Sequence, residues 1–311
     1  MPRSGGVISE AGHPVRVTGA IRLTHTQAVF GMVAVTGMWS IAGMVTRHLE
    51  QARSFEVTFW RSFFTAVSLL VILPLLQGRA VFTKIARGGW PLWLSGVCWS
   101  VMFTAFMVAL TLTSVANTLV TMALGPFLTA LMARVFIGHR IPPRTRVAIV
   151  VAGIGIAYMY GVQIEAGRFA GTAVALCVPI AAGVNWTINQ RAHAQGREID
   201  LVPAVLVGAV ISCLATLPLA LPMHASAHDV ALLALLGLVQ LAIPCVLAVL
   251  CARVLKAPEM ALLGLLEVIF GILLAWLGAG EVPRTTVLTG GALVIGALVL
   301  NELVGWKERT T

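Results

Sequence analysis

Ionisable side chains inside long apolar runs are where this sequence could do chemistry, and two stand out. Glu267 interrupts "MALLGLLEVIFGILLAWLGAG" (260–280), and Arg61 interrupts "FWRSFFTAVSLLVILPLL" (59–76). A charge buried in hydrocarbon costs several kcal/mol unless something offsets it, so each predicts either a functional site or a partner. Gly264, Gly271 and Gly278 repeat by seven in the run that holds Glu267. Glu267, three after the first and four before the second, shares their helical face. Small residues at that spacing line helix contacts and not lipid, so the carboxylate is expected to point inward. There it could hold a cation or an ammonium group, exchange a proton, or pair with Arg61 and tie the bundle together. These alternatives stay open on spacing alone.

Other polar or special residues sit deep in apolar runs. Asn117, Thr121 and Gly125 follow at i, i+4 and i+8, and Pro126 next to them frees a backbone carbonyl near mid-run. Trp39 with Ser40, Trp99 with Ser100, Thr104 and Gln240 are further candidates for the wall of a cavity. Asn185, Trp186 and Asn189 crowd one end of another run and form a candidate cytoplasmic gate.

The elements that must position these residues follow from composition. Of 311 residues 59% are hydrophobic and 11% charged, and the mean hydropathy is +0.94. Soluble domains carry about twice that charge fraction. Apolar runs long enough to span a bilayer recur near 28–48, 55–76, 89–112, 115–137, 146–162, 171–191, 201–222, 229–252, 257–279 and 286–303. The reading is an all-α membrane protein of ten transmembrane helices. Lys and Arg alternate with these runs. With the N-terminus cytoplasmic, 16 fall inside and four outside, which predicts both termini in the cytoplasm of a bacterial-type inner membrane. The formal charge of +9 is thereby read as orientation, and no basic stripe with aromatics points to nucleic acid. Residues 1–27 and 304–311 read as cytoplasmic tails, the first disordered.

A repeat is visible. "IPPRTRV" (141–147) matches "EVPRTTV" (281–287), "ILPLL" (72–76) matches "TLPLA" (216–220), and Trp39 matches Trp186. The halves are 28–162 and 171–303, with five runs each. Five is odd, so the second half is expected upside down, in two inverted five-helix repeats.

Over about 28–303 the sequence resembles the drug/metabolite transporter superfamily, specifically its EamA-type ten-helix members. Arg61 in "FWRSFF", the stretch "LGPFLTALMARVFIGHRI" (124–141) and "LLEVIFGILLAWLGAGE" (265–281) carry the likeness. His139 stands where such proteins usually have Glu, a position that Glu281 fills in the second copy, and Val268 replaces a proline after Glu267. The resemblance implies a secondary transporter of small organic solutes, often an exporter of amino acids or related metabolites.

The expectation is therefore export of a small polar or zwitterionic metabolite through a midplane cavity between the halves, with proton coupling through Glu267 as a hypothesis. The rival reading is a non-transporting helical scaffold or partner protein. No HExxH, GxSxG or Walker-type loop occurs, so neither an enzyme nor a nucleotide-driven pump is expected. His224 and His228 in "MHASAHD" (223–229) read as a solvated loop and not as a metal site. The five cysteines lie in apolar runs without CxxC spacing, and no cofactor is expected.

Overall fold

Helices begin and end where the chain supplies caps and breakers. The computed structural model describes residues 23–125, 127–128, 131–132, 134, 142–161, 168–194, 202–251, 254–255 and 257–310. Among them every regular element is helical. α1 (His25–Thr46) opens on a capping box, in which Thr24 and Gln27 satisfy each other's backbone N–H. α2 (Ser54–Gln77) stops at Gly78, whose φ of 73° suits only glycine cheaply. The short α3 (Ala80–Ala86) lies in a connection that the sequence reading left without an element. α4 (Trp90–Leu112) carries Pro91 in its first turn, where no N–H is needed, and α5 (Val115–Met122) is capped by Ser114. Then come α6 (Pro143–Gly161), α7 (Arg168–Ala194) and α8 (Val202–Ala220). α9 (Ala227–Leu235) runs through a π-helical segment (Leu236–Ala242) into α10 (Ile243–Cys251). α11 (Ala257–Ala279) and α12 (Thr285–Thr310) complete the described chain.

Two prolines disturb the helices that contain them. The fourth span does not run unbroken over 115–137. α5 ends at Met122, a turn follows at Ala123–Leu124, and Leu128 resumes by bonding Leu124. The sequence explains the place: Pro126 has no N–H to give Met122 four residues back, so regular bonding fails just before it. Pro126 itself lies outside the described residues. In the eighth span Pro244 leaves the Gln240 carbonyl without its usual donor, and the turn upstream widens to π. The last helix also continues to Thr310, past the expected end near 303.

Among the described residues six helical stretches are long and apolar enough to cross a membrane: α1, α2, α4, α8, the α9–α10 rod, and α12 through Gly305. α7 and α11 hold shorter apolar stretches, Phe169–Asn185 and Leu266–Ala279. Large apolar side chains on the outer faces stay exposed, Leu75 at 80% and Leu277 at 79% among them, as a lipid-facing surface requires.

α4 packs between α7 and α8, and α8 also lies along α2. α1 packs on α11 and α10, and α6 on α12. At the α4–α8 crossing the two backbones nearly touch. A Cβ on Gly208 would stand 2.9 Å from the Gly96 carbonyl and 3.0 Å from the Ser100 nitrogen, so only small residues fit there. A hydroxyl cluster ties the same region, with Ser212 of α8 3.0 Å from Ser62 of α2 and 2.8 Å from Thr104 of α4.

At the end of the bundle that carries the α1–α2 and α8–α9 connections, two buried carboxylates hold backbone amides. Asp229 accepts from the N–H groups of Glu50, Gln51 and Ala52 at 2.8–2.9 Å and from Ser226 at 3.3 Å. Glu56 accepts from His224 and Ala225. Asp229→Ala should therefore lower stability by about 3 kcal/mol, since several buried donors lose a charged acceptor. Thermal unfolding of the purified protein measures it, and a change under about 0.5 kcal/mol would refute the clamp.

Candidate solute site and its family

The middle of the bundle is built around Arg61. Eight residues into α2 and fully buried, it donates from one terminal nitrogen to Gln240 Oε1 at 3.1 Å. The other donates to the Phe103 carbonyl at 2.9 Å. Its guanidinium also lies 5.9 Å from the Phe103 ring centre and 5.7 Å from that of Phe106, near enough for cation–π attraction. The π-helical segment is what presents Gln240. Gly237 lets that segment press against α2, where Thr65 Oγ donates to the Gly237 carbonyl at 3.2 Å. Gln240 in turn donates from Nε2 to the Trp39 carbonyl at 3.3 Å. One polar chain thus joins α4, α2, the π segment and α1.

Arg61 makes no ion pair with Glu267, which decides one question the sequence left open. Among the described residues no hydrogen bond or ion pair reaches the Glu267 carboxylate, and the residue is partly exposed. The surface it meets is internal. Leu263, one turn earlier, packs with Met32, Val35, Trp39 and Cys251, while the lipid face of α11 is formed by Ile269, Leu273, Trp276 and Leu277. α1 and α11 run side by side in one direction: Gly278 abuts Met44, and Gly271 abuts Ser40 and Leu119. That register sets Glu267 level with Thr36 and Gly37. Gly37 and Gly264 have no atom within 4 Å of where a Cβ would stand, so each helix has open space beside a glycine near this level. Cys245 of α10, hydrogen-bonded by Trp39, lies within electrostatic reach of both Arg61 and Glu267.

The remaining candidates divide. Ser40 is buried and bonds the Gly37 carbonyl at 2.8 Å, and Trp39 packs between two apolar clusters. Asn117 and Thr121 are buried on α5, where Thr121 Oγ donates to the Asn117 carbonyl at 2.7 Å and Asn117 Oδ1 has no partner. Gly125 lies 4.0 Å, counted from a built Cβ, from Pro179 of α7. Thr104 bonds Ser212 of α8, the Trp99 Cβ and the Ser100 nitrogen border Gly208, and the Trp99 ring packs on Phe103 and the cluster of Leu241, Cys245 and Val246. Asn185 is buried on α7 with Oδ1 unpartnered, while the side chains of Trp186 and Asn189 lie outside the described residues.

Sequence reasoning missed the other polar centre. Arg47 donates to Glu281 at 2.7 Å and to the carbonyls of Leu110 and Thr113 at 3.0 Å, and Glu281 also accepts from Val115 N–H at 2.8 Å. In the sequence Arg47 is one of the four outer Lys and Arg residues that orient the chain. The available signal was Gly280-Glu281: glycine at φ 65° ends α11 in the left-handed conformation and turns the following acid back onto the bundle.

Residues 26–161, the stretch that runs from α1 through α6, match the sequence profile of the EamA-like transporter family. That stretch, less than half of the chain, is similar to this family, which lies within the drug/metabolite transporter superfamily. The EamA segment contains Arg61 and the α1 face opposite Glu267, whereas Glu267 and Gln240 lie beyond it. One crystal structure of a protein superposes on the chain with a TM-score of 0.61 at 18% identity, covering 90% of this chain and 99% of that one. At that identity it shows a shared fold that continues past the EamA segment. No curated protein matches the chain. These findings carry a helical, multi-pass membrane protein whose residues 26–161 are similar to the EamA-like transporter family.

Proposed function

We propose that the protein is a secondary transporter exporting a small polar or zwitterionic metabolite, such as an amino acid, by alternating access. The observation that carries this is Glu267: an inward carboxylate, partly exposed and unpaired among the described residues, on the helix face that packs along α1. A scaffold has no use for such a group, which hydrocarbon would not tolerate unless it had solute or water to meet. The carboxylate would take the solute's ammonium group. Arg61 and Gln240 would supply the polar field behind it.

Ten membrane crossings in two inverted halves, 28–162 and 171–303, with both ends in the cytoplasm of an inner membrane, form the frame of this reading. The helix pairings support it. If the first-half helices α1, α2, α4, α5 and α6 exchange with α7, α8, α9–α10, α11 and α12, then α4 on α7 becomes α9–α10 on α1. Likewise α4 on α8 becomes α9–α10 on α2. The pairings α2–α8, α5–α11 and α6–α12 map onto themselves. A two-fold axis in the membrane plane would produce that pattern.

The experiment is flux in proteoliposomes loaded with radiolabelled neutral amino acids. Wild-type protein should show counterflow of at least one of them, and Glu267→Gln should reduce it about tenfold or more while leaving the unfolding temperature unchanged. A proton-coupled cycle adds a pH dependence that the same substitution removes. Undiminished flux in Glu267→Gln would overturn the assignment.

A further inference from the structure

We infer that the Arg47–Glu281 ion pair is the latch of a gate, closing the end of the bundle where the α1–α2, α4–α5, α8–α9 and α11–α12 connections meet. In the orientation proposed above this is the outer face. The inference rests on the alternating-access reading, and it adds which contact must break.

The pair is built from helix ends. The last carbonyls of a helix attract cations and its first N–H groups attract anions. Arg47, just past α1, lies on the Leu110 and Thr113 carbonyls that close α4, and Glu281 lies on the Val115 N–H that opens α5. Arg47, α4 and α5 all belong to the first half. Glu281 is the second-half member, so its 2.7 Å bond to Arg47 and its bond to Val115 span the two halves.

Among the described residues three carboxylates hydrogen-bond across the halves at this end, beside an exposed Glu50–His228 approach at 4.0 Å, and the three differ in one respect. Asp229 and Glu56 are 0% and 1% exposed and hold backbone amides shut away from water. Arg47 and Glu281 are 29% and 20% exposed. A water-accessible ion pair is weak and screened by salt, whereas a carboxylate buried on several amides is not. The first kind of contact suits a closure that opens in each cycle. Behind it lies a second sign of opening. Asn117, the third residue of α5, is 3% exposed, and among the described residues its Oδ1 has no hydrogen-bond partner. A buried amide oxygen left unsatisfied in this state would gain water when the mouth opens.

The test uses the full chain carrying Asn117→Cys, in vesicles with the outer face exposed, and a membrane-impermeant maleimide. The parent chain, labelled in parallel, accounts for the native cysteines. With the latch intact, labelling from outside should be slow. Glu281→Gln keeps an acceptor for Val115 but removes the charge from Arg47, and it should speed labelling about threefold or more. Arg47→Lys, which keeps the charge, should leave it slow. Raising the salt concentration should speed labelling when Glu281 is present and have no effect in Glu281→Gln, a readout that needs no folded latch variant. If neither Glu281→Gln nor salt changes the rate, the latch is refuted. Labelling that occurs from the cytoplasmic face alone in every variant refutes the latch and leaves the transport reading standing. Labelling from neither face in any variant refutes both.

Discussion

Gly208→Val is expected to leave little folded protein, with the apparent unfolding midpoint in detergent falling by about 10 °C or more. The first added carbon would meet the Gly96 carbonyl at 2.9 Å, the Ser100 nitrogen at 3.0 Å and the Trp99 Cβ closer still. Two of those atoms are backbone, which cannot rotate away, so α4 and α8 would have to part. Overpacking at a site that can adjust costs about 1–3 kcal/mol, and here nothing adjusts. For a chain of this size about 3 kcal/mol corresponds to roughly 6–12 °C. Gly153→Ala is the control. A Cβ there meets nothing within 4 Å, and alanine favours the helix by about 1 kcal/mol, so its midpoint should hold or rise. A Gly208→Val protein that unfolds at the parent's temperature would mean that α4 and α8 do not cross at these glycines.

Arg61 gives the second large effect, and here the choice of replacement matters more than the loss of the residue. Arg61→Ala should destabilise by about 4 kcal/mol, because it empties a fully buried volume and strands Gln240 Oε1 and the Phe103 carbonyl. Arg61→Met refills most of that volume and removes a desolvated charge with no ion-pair partner. It strands the same two acceptors, so its stability should fall below the parent's, but by about 2 kcal/mol less than in Arg61→Ala. Both should lose flux, since Gln240 is no longer held between α2 and the Trp39 carbonyl. Equal destabilisation by the two replacements would mean that the charge itself, and not the packing, holds the bundle together. Full flux in Arg61→Met would make Arg61 purely structural.

The sequence was most informative where physics acts along the chain. Apolar runs, Gly78, Pro91 and the Ser114 and Ser226 caps mark helix ends because each effect is local. Arg61 and Gln240 could be singled out for the same reason: a polar residue in an apolar run is conspicuous whatever it touches. What escaped was set by distant partners. Thr104 reads as cavity wall in the sequence, yet its hydroxyl is taken by Ser212, about a hundred residues away. Asp229, Glu56 and Glu281 accept backbone N–H groups, and backbone donors carry no sequence signature. The π-helical segment was hidden because Pro244 announces a disturbance without saying whether the helix kinks, breaks or widens.

The glycine crossing has a mechanical corollary. Gly96 and Gly208 each lie six residues from the start of their helices, so any tilt of α4 against α8 turns about a point roughly 9 Å from one end. The other arm, to Leu112 on α4 or Ala220 on α8, is about 18–24 Å. A seesaw with arms that unequal moves its long end about two to three times as far as its short one. The long end is the one held by Arg47, so a modest displacement of the short arm near Trp90 is magnified at the opposite mouth.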